Sequence, residues 1–414
     1  MMIGIIASAQ NFTGDWTGTL SVQGTKARIV FHIQKDGEKY SSTFDSPDQN
    51  AMGLPVDETT ISGNEISMDA KSFGIQYKGK AGQNQDTIKG EWSQRGMSFP
   101  LVLARQAPEV KAVTRDPNET EYILSTSTGD IKGTLMYPPG QSSVPVVLII
   151  AGSGPTDRNG NSPPALKNNS NCYRLLAQEL LKHNIASLRY DKRGVGGSIL
   201  SGLKESELRF DNYLSDAAGW IKMLAGDNRF SKIIVAGHSE GSLIGMIVCS
   251  QEKVNGFISI AGAGRPADEI IREQMKNIPE DQKKEENKLL DMLKKGDTTS
   301  NVPESMSQLF RPSVQPYLIS WFKYDPAKEI GKLRIPVLII QGEMDIQVIV
   351  KDAEVLAKAD PNAEIRLIRK MNHVLKDTDT MDKKEHVRLV YTNPDLPLDS
   401  EFTSAVIRFI MQLK

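Results

Sequence analysis

Ile233-Ile234-Val235-Ala236-Gly237-His238-Ser239-Glu240-Gly241-Ser242 is the stretch that decides the fold. Its four leading apolar residues read as a short buried strand, Gly-x-Ser-x-Gly follows at once, and an apolar run, Leu243-Ile244-Gly245-Met246-Ile247-Val248, continues as a helix from Ser242 to Ser250. A strand that turns sharply into a helix holds the central serine on a tight, strained corner, its hydroxyl projecting over the sheet edge. The residues two before and two after that serine lie where strand and helix nearly touch, so neither can carry a side chain. Gly237 and Gly241 meet this requirement, and Ser239 is the candidate nucleophile.

Around this core the sequence from about Asn118 to Lys414 alternates buried strands with amphipathic helices. Two strands (Glu121 to Ser125, Ile131 to Tyr137) precede a buried one (Val144 to Ile150). Helices at Asn171 to His183 and Phe210 to Leu224 flank a strand at Ile185 to Tyr190. After the nucleophile helix come strands at Gly256 to Ile260, Ile335 to Ile340 and Ala363 to Ile368, with helices at Val350 to Ala359 and Phe402 to Leu413. This order predicts an α/β domain, a mostly parallel sheet covered on both faces. Between two sheet strands, about 265–328 forms an insertion in which Ile270, Ile271, Met275 and Ile278, then Leu289, Leu290 and Leu293, fall at helical spacing. Helices inserted there would lie over the carboxyl edge of the sheet as a lid, with the charged stretch Glu280 to Lys288 as a solvated face.

A serine needs a base to take its proton, and the base needs a carboxylate to fix its tautomer. In this architecture the chain order is serine, acid, histidine, the latter two on loops that leave the last strands. Gln341-Gly342-Glu343-Met344-Asp345 follows a buried strand and offers Asp345, with Glu343 as the competing carboxylate. Ile365-Arg366-Leu367-Ile368 ends at Arg369-Lys370-Met371-Asn372-His373, which brings His373 to the same edge as general base. Of the other histidines, His32 falls in a different domain, His183 ends a helix on the far side, His238 should point into the fold, and His386 sits in a polar late loop. Backbone N–H groups must meet the charge that develops on the carbonyl oxygen. The expected donors are Glu240, after the nucleophile, and Ser153 in Ala151-Gly152-Ser153-Gly154-Pro155, with Gly152 as the adjacent alternative. Tyr190-Asp191-Lys192-Arg193-Gly194-Val195-Gly196-Gly197-Ser198 lacks the spacing of a dinucleotide fingerprint, and Asp191 and Arg193 are expected to brace the oxyanion loop.

From Gln10 to about Arg105 the chain is a series of short alternating segments broken by turns, such as Ala27 to Ile33, Ile75 to Gly79 and Phe99 to Leu103. That pattern predicts a small all-β domain, a barrel or sandwich with one wet face. Gly14-Asp15-Trp16-Thr17-Gly18 and Gly90-Glu91-Trp92 resemble features of lipocalin-like barrels, with Trp16 and Trp92 expected as core plugs. Residues 106–117, with Pro108 and Pro117, have the composition of a linker. Apolar Met1 to Ile6 with Ala7-Ser8-Ala9 before Gln10 reads as the remnant of a signal peptide over residues 1–9, which implies an exported protein, periplasmic or extracellular. No stretch reaches the length of a membrane span. The 50 basic and 51 acidic side chains nearly cancel, so nothing draws the chain to nucleic acid and a small molecule is the expected partner. The all-β domain is expected to serve packing or homodimer formation. Cys172 and Cys249, in two predicted helices, are expected to be unpaired, Cys249 as a buried filler.

Ala151 to Asn161, Asp191-Lys192-Arg193-Gly194, Gly237 to Gly241, Asp345 and His373 together resemble the α/β-hydrolase superfamily. The likeness runs over about residues 118–414 and is nearest to exported bacterial esterases and serine-aminopeptidase-like hydrolases with a helical cap. It implies ester hydrolysis through an acyl-serine intermediate, with no cofactor and no metal. Ala151-Gly152 stands where such proteins often have His-Gly. The expected activity is that of a carboxylesterase on small or medium acyl esters. The alternatives are a peptidase or acyl-amide hydrolase with the same triad, and a catalytically dead ligand-binding protein.

Overall fold

The structure is a computed structural model that describes residues 12–22, 25–36, 39–46, 51–82, 86–94, 96–105, 116–163, 166, 168–198, 204–276 and 278–414. The expected signal remnant, 1–9, and most of the expected linker, 106–115, lie outside these residues. Two compact units are present, 1–114 with 164–166, and 115–163 with 167–414.

The first unit is a single antiparallel sheet. Its strands are β1 (Gly14–Val22), β2 (Thr25–Asp36), β3 (Lys39–Ser46), β4 (Ala51–Pro55), β5 (Glu58–Ser62), β6 (Glu65–Ala70), β7 (Ile75–Ala81), β8 (Thr87–Gln94) and β9 (Met97–Arg105). They run in the order β4-β3-β2-β1-β9-β8-β7-β6-β5. Alternation sets the inner face: Ile66, Met68 and Ala70 of β6 are buried while Glu65 is exposed. The sheet curls on itself, because Phe31 of β2 packs 5.6 Å from Tyr77 of β7 although three strands separate them in the order. Trp16 and Trp92 are buried among Phe31, Phe44 and Tyr77, so aromatic rings fill the interior.

The second unit holds a mixed eight-stranded sheet. In chain order its elements begin with the hairpin β10 (Glu119–Thr126) and β11 (Gly129–Met136), then β12 (Val144–Ile150), α1 (Cys172–Lys182), β13 (Ala186–Tyr190), α2 (Phe210–Ala225), β14 (Phe230–His238), α3 (Glu240–Cys249) and β15 (Gly256–Ile260). An inserted set of helices follows: α4 (Ala267–Gln274), α5 (Glu280–Lys294), α6 (Ser307–Phe310), α7 (Gln315–Trp321) and α8 (Pro326–Ile330). The chain then returns to β16 (Val337–Gly342), α9 (Val350–Ala359), β17 (Glu364–Ile368), α10 (Lys383–His386) and α11 (Ser400–Gln412).

The strand order is β10-β11-β13-β12-β14-β15-β16-β17, parallel from β13 through β17. Val146, Leu148 and Ile150 of β12 pack on one face with α2 and α3, and Val147 and Ile149 on the other with α1 and α11. Burial on both faces is why these strands read as unbroken apolar runs. Cys172 and Cys249 are free and buried in the clusters on opposite faces of the sheet, which rules out a bridge between them. The chain leaves β12 toward β13 and leaves β14 toward β15, in opposite directions along the sheet. Since β12 and β14 are neighbours, this is the switch point at which open α/β sheets bind ligands. The loops after these two strands emerge side by side there.

The cap helices share a small core of Ile271, Leu289, Leu290, Leu293, Phe310 and Leu318. Most of the charged stretch of α5 is solvated, but Glu286 is buried. No helix among the described residues is long and apolar enough to cross a membrane.

Candidate active site

Ser239 occupies the one-residue turn between β14 and α3, with φ 54° and ψ −120°. A side chain at positive φ is strained by about 1–3 kcal/mol and needs surrounding structure to hold it. That structure is close-packed backbone. A Cβ on Gly237 would stand 2.1 Å from the carbonyl oxygen of Gly241, and one on Gly241 would stand 2.3 Å from that of Ile150. The N–H of Ser239 donates to the carbonyl of Ile260 at 2.9 Å, tying the turn to β15. Ser239 itself is half-buried, and its hydroxyl makes no hydrogen bond among the described residues.

Asp345 and His373 come together from the loops after β16 and β17. His373 Nδ1 donates to Asp345 Oδ2 at 2.7 Å. Gln347 and Val348 N–H donate to Oδ1, and Gln341 Nε2 to Oδ2, so the buried carboxylate is fully held. Burial alone would raise the Asp345 pKa, but the neighbouring His373 and these N–H donors overcome it and hold it below the usual value. A carboxylate can only accept, so the His373 proton sits on Nδ1 and Nε2 keeps its lone pair. The two loops cross where Met344 N–H meets the Met371 carbonyl, and a Cβ on Gly342 would strike that carbonyl at 2.0 Å. Glu343, the competing carboxylate, is exposed.

On the other side of Ser239 lies the loop after β12. Gly152 abuts Ser239, since a Cβ there would meet Ser239 Cβ at 3.1 Å. Its N–H donates to Tyr173 Oη at 3.1 Å, which takes Gly152 out as the alternative oxyanion donor. The N–H groups of Ser153 and Glu240 have no partner among the described residues. The expected donors thus flank the serine, one from each loop of the switch point.

A model of the serine aminopeptidase S33 family matches residues 166–308, a segment that contains Ser239 but neither Asp345 nor His373. Esterase EstD of Thermotoga maritima is 27% identical over 271 residues, a match that spans 63% of this chain and 61% of that esterase. Among solved structures, the chain is similar to Est1E from Butyrivibrio proteoclasticus with ferulic acid bound. The TM-score is 0.49 at 17% identity, covering 70% of this chain and 98% of that one. It is also similar to an esterase from Pyrococcus furiosus, with a TM-score of 0.45 at 17% identity over 71% of this chain and 90% of that one. The second unit has the α/β-hydrolase fold.

Within this α/β-hydrolase unit, several residues near the site were not anticipated as parts of it. Tyr173 of α1 donates to His238 Nδ1 at 2.8 Å, and His238 Nε2 donates to the carbonyl of His373 at 2.8 Å. The directions are fixed, because a carbonyl can only accept and so Nε2 carries the proton. An unbroken chain runs from Gly152 N–H through Tyr173 and His238 to the backbone of His373. Burial, and then the adjacent His373, lower the His238 pKa to about 3, so His238 is neutral throughout the working range. His238 therefore points into the fold, as expected, but it links two parts of the site. Asp191 braces the distal part of the loop after β12, accepting from Arg158 N at 2.8 Å and from Arg158 Nη2 at 2.7 Å. Arg193 does not reach that loop. Its guanidinium pairs with Asp216 of α2 at 2.5 and 2.7 Å, and it also donates to Thr128. Lys192, between them, contacts the loop instead, donating to the Gly152 carbonyl at 3.0 Å. His386 is buried and bonded to the Thr380 carbonyl rather than lying in an open polar loop.

Proposed function

We propose that the chain is a serine carboxylesterase that hydrolyses small or medium acyl esters through an acyl-enzyme. The observation that carries this reading is the His373–Asp345 pair, with the lone pair left on Nε2, on a sheet edge shared with a strained, half-buried Ser239. In the forward step Nε2 takes the Ser239 proton as Oγ adds to the ester carbonyl. Asp345 stabilises the imidazolium that forms. The carbonyl oxygen becomes an oxyanion between the free N–H groups of Ser153 and Glu240, each worth about 3 kcal/mol in such a site. His373 then returns the proton to the departing alkoxide. Water enters by the same route in reverse and releases the acid. The similarity to Esterase EstD supports ester substrates, and the cap is the element expected to limit acyl size.

A peptidase or acyl-amide hydrolase is the second reading, favoured by the description of the matching family as serine aminopeptidases. The reading as a catalytically dead ligand-binding protein gains nothing from the first unit, whose inner face is filled by Phe31, Phe44, Tyr77 and Trp92. The test is turnover of p-nitrophenyl acetate and butyrate beside aminoacyl p-nitroanilides, with Ser239→Ala as the control. Ester turnover abolished in Ser239→Ala supports the esterase. Faster anilide cleavage, equally dependent on Ser239, would replace it with the amidase. Equal rates in both proteins would leave only binding.

A further inference from the structure

Lys192, the second residue after β13, is almost wholly buried, an expensive place for an ammonium. It is held by three contacts. Its Nζ lies 3.0 Å from the Gly152 carbonyl, 3.1 Å from Glu240 Oε1 and 4.3 Å from the centre of the Tyr213 ring. The hydroxyl of Tyr317, from the cap helix α7, approaches Glu240 but makes no hydrogen bond of good geometry, and Glu240 Oε2 is likewise unpartnered. Lys192 is the cation that pairs with the Glu240 side chain.

The two residues that Lys192 joins are those that set the oxyanion donors. In a trans peptide the C=O and the following N–H point in opposite directions in one plane. Pulling the Gly152 carbonyl toward Lys192 turns the Ser153 N–H the other way, out toward the site. The N–H of Gly152 is already fixed by Tyr173, so the residue is held on both sides. The same ammonium fixes the side chain of Glu240, whose own N–H is the second donor. We propose that Lys192 is a positioning residue that sets the oxyanion hole, holding the Gly152–Ser153 peptide and the Glu240 turn in one orientation relative to Ser239.

The inference rests on the esterase reading, and its test uses the full chain. Lys192→Met removes the clamp but strands a buried carboxylate, so Lys192→Met/Glu240→Met is made beside it to replace the pair with apolar side chains of similar volume. Turnover of p-nitrophenyl butyrate and inhibition by an alkylboronic acid, whose tetrahedral serine adduct places an oxygen in the hole, are measured on folded protein. The expected result is a fall in kcat of about 10- to 100-fold in both variants, comparable to weakening one oxyanion donor, with KM changed by less than about 3-fold. Boronate affinity should fall by the same factor as kcat. A double variant with the kcat and boronate affinity of the unchanged protein would overturn the proposal, because Lys192 would then serve only to neutralise Glu240. Turnover by the unchanged protein with no loss in a folded Lys192→Met would overturn it as well. Absence of ester turnover in the unchanged protein would refute the esterase reading and this inference together.

Discussion

Replacing Tyr173 by phenylalanine takes one oxygen atom from a ring that is 3% exposed, leaving the packing of α1 in place. That oxygen both accepts from Gly152 N–H and donates to His238 Nδ1, so two buried groups lose their partner at once. Neither can compensate by rearranging. The His238 tautomer is fixed by the His373 carbonyl on its other nitrogen, and a ring whose pKa is held near 3 does not protonate at Nδ1 in the neutral range. A buried polar group left unsatisfied costs about 1–3 kcal/mol, so the loss should be about 2–6 kcal/mol. A domain of this size shifts its thermal midpoint by about 2–4 °C per kcal/mol, which gives a fall of about 4–24 °C. Because the loosened residues flank Ser239, kcat should drop about 10-fold in the same protein. Thermal and urea unfolding, followed by fluorescence of Trp220 and Trp321 in this unit, measure the first effect, and ester turnover measures the second. A Tyr173→Phe protein within about 0.5 kcal/mol of the unchanged one would refute the relay, since that is the range of an ordinary surface change.

Asp345→Asn should fold yet lose about 10⁴-fold in kcat on esters, because an amide in that place favours the wrong His373 tautomer. A loss under 10-fold in steady-state assays would count against Asp345 as the orienting acid. The Asp377 pKa is raised to about 6 by a hydrogen bond with Asp399, by partial burial and by the Asp399 charge. A raised carboxyl pKa stabilises the folded state fully below its unfolded value near 4 and ceases to do so as pH rises through about 6. Thermal midpoints between pH 4 and 7 should thus show Asp377→Asn gaining on the unchanged protein as pH rises, whereas parallel curves would exclude the shared proton. Gly237→Ala places a methyl 2.1 Å from the Gly241 carbonyl, and should destabilise by more than about 4 kcal/mol, seen as loss of soluble, cooperatively melting protein.

The buried strands and their alternation with helices were legible because burial on both faces leaves a run such as Val146 to Ile150 with no polar interruption. The corner at Ser239 announces itself through the two glycines it needs. What the sequence hid were contacts between distant side chains. Nothing local distinguishes the buried Lys192 from the solvated lysines of α5, and Arg193, two residues from Asp191, turns to α2 instead of the oxyanion loop. Tyr173 reads as one more apolar position of an amphipathic helix until its hydroxyl is seen between Gly152 and His238. His386 was misplaced for a similar reason. The polar stretch around it gives no hint that Thr380 and the Tyr391 ring close over the imidazole.

Ser239 is expected to be an activated nucleophile served by His373. This is tested most directly by incubating the protein with a fluorophosphonate and locating the adduct by peptide mass spectrometry. One phosphonyl group per chain is expected, on Ser239, formed at least 100-fold more slowly in His373→Gln, in line with removal of a general base. Folded protein that remains unlabelled, or that carries the adduct on another residue, would contradict this.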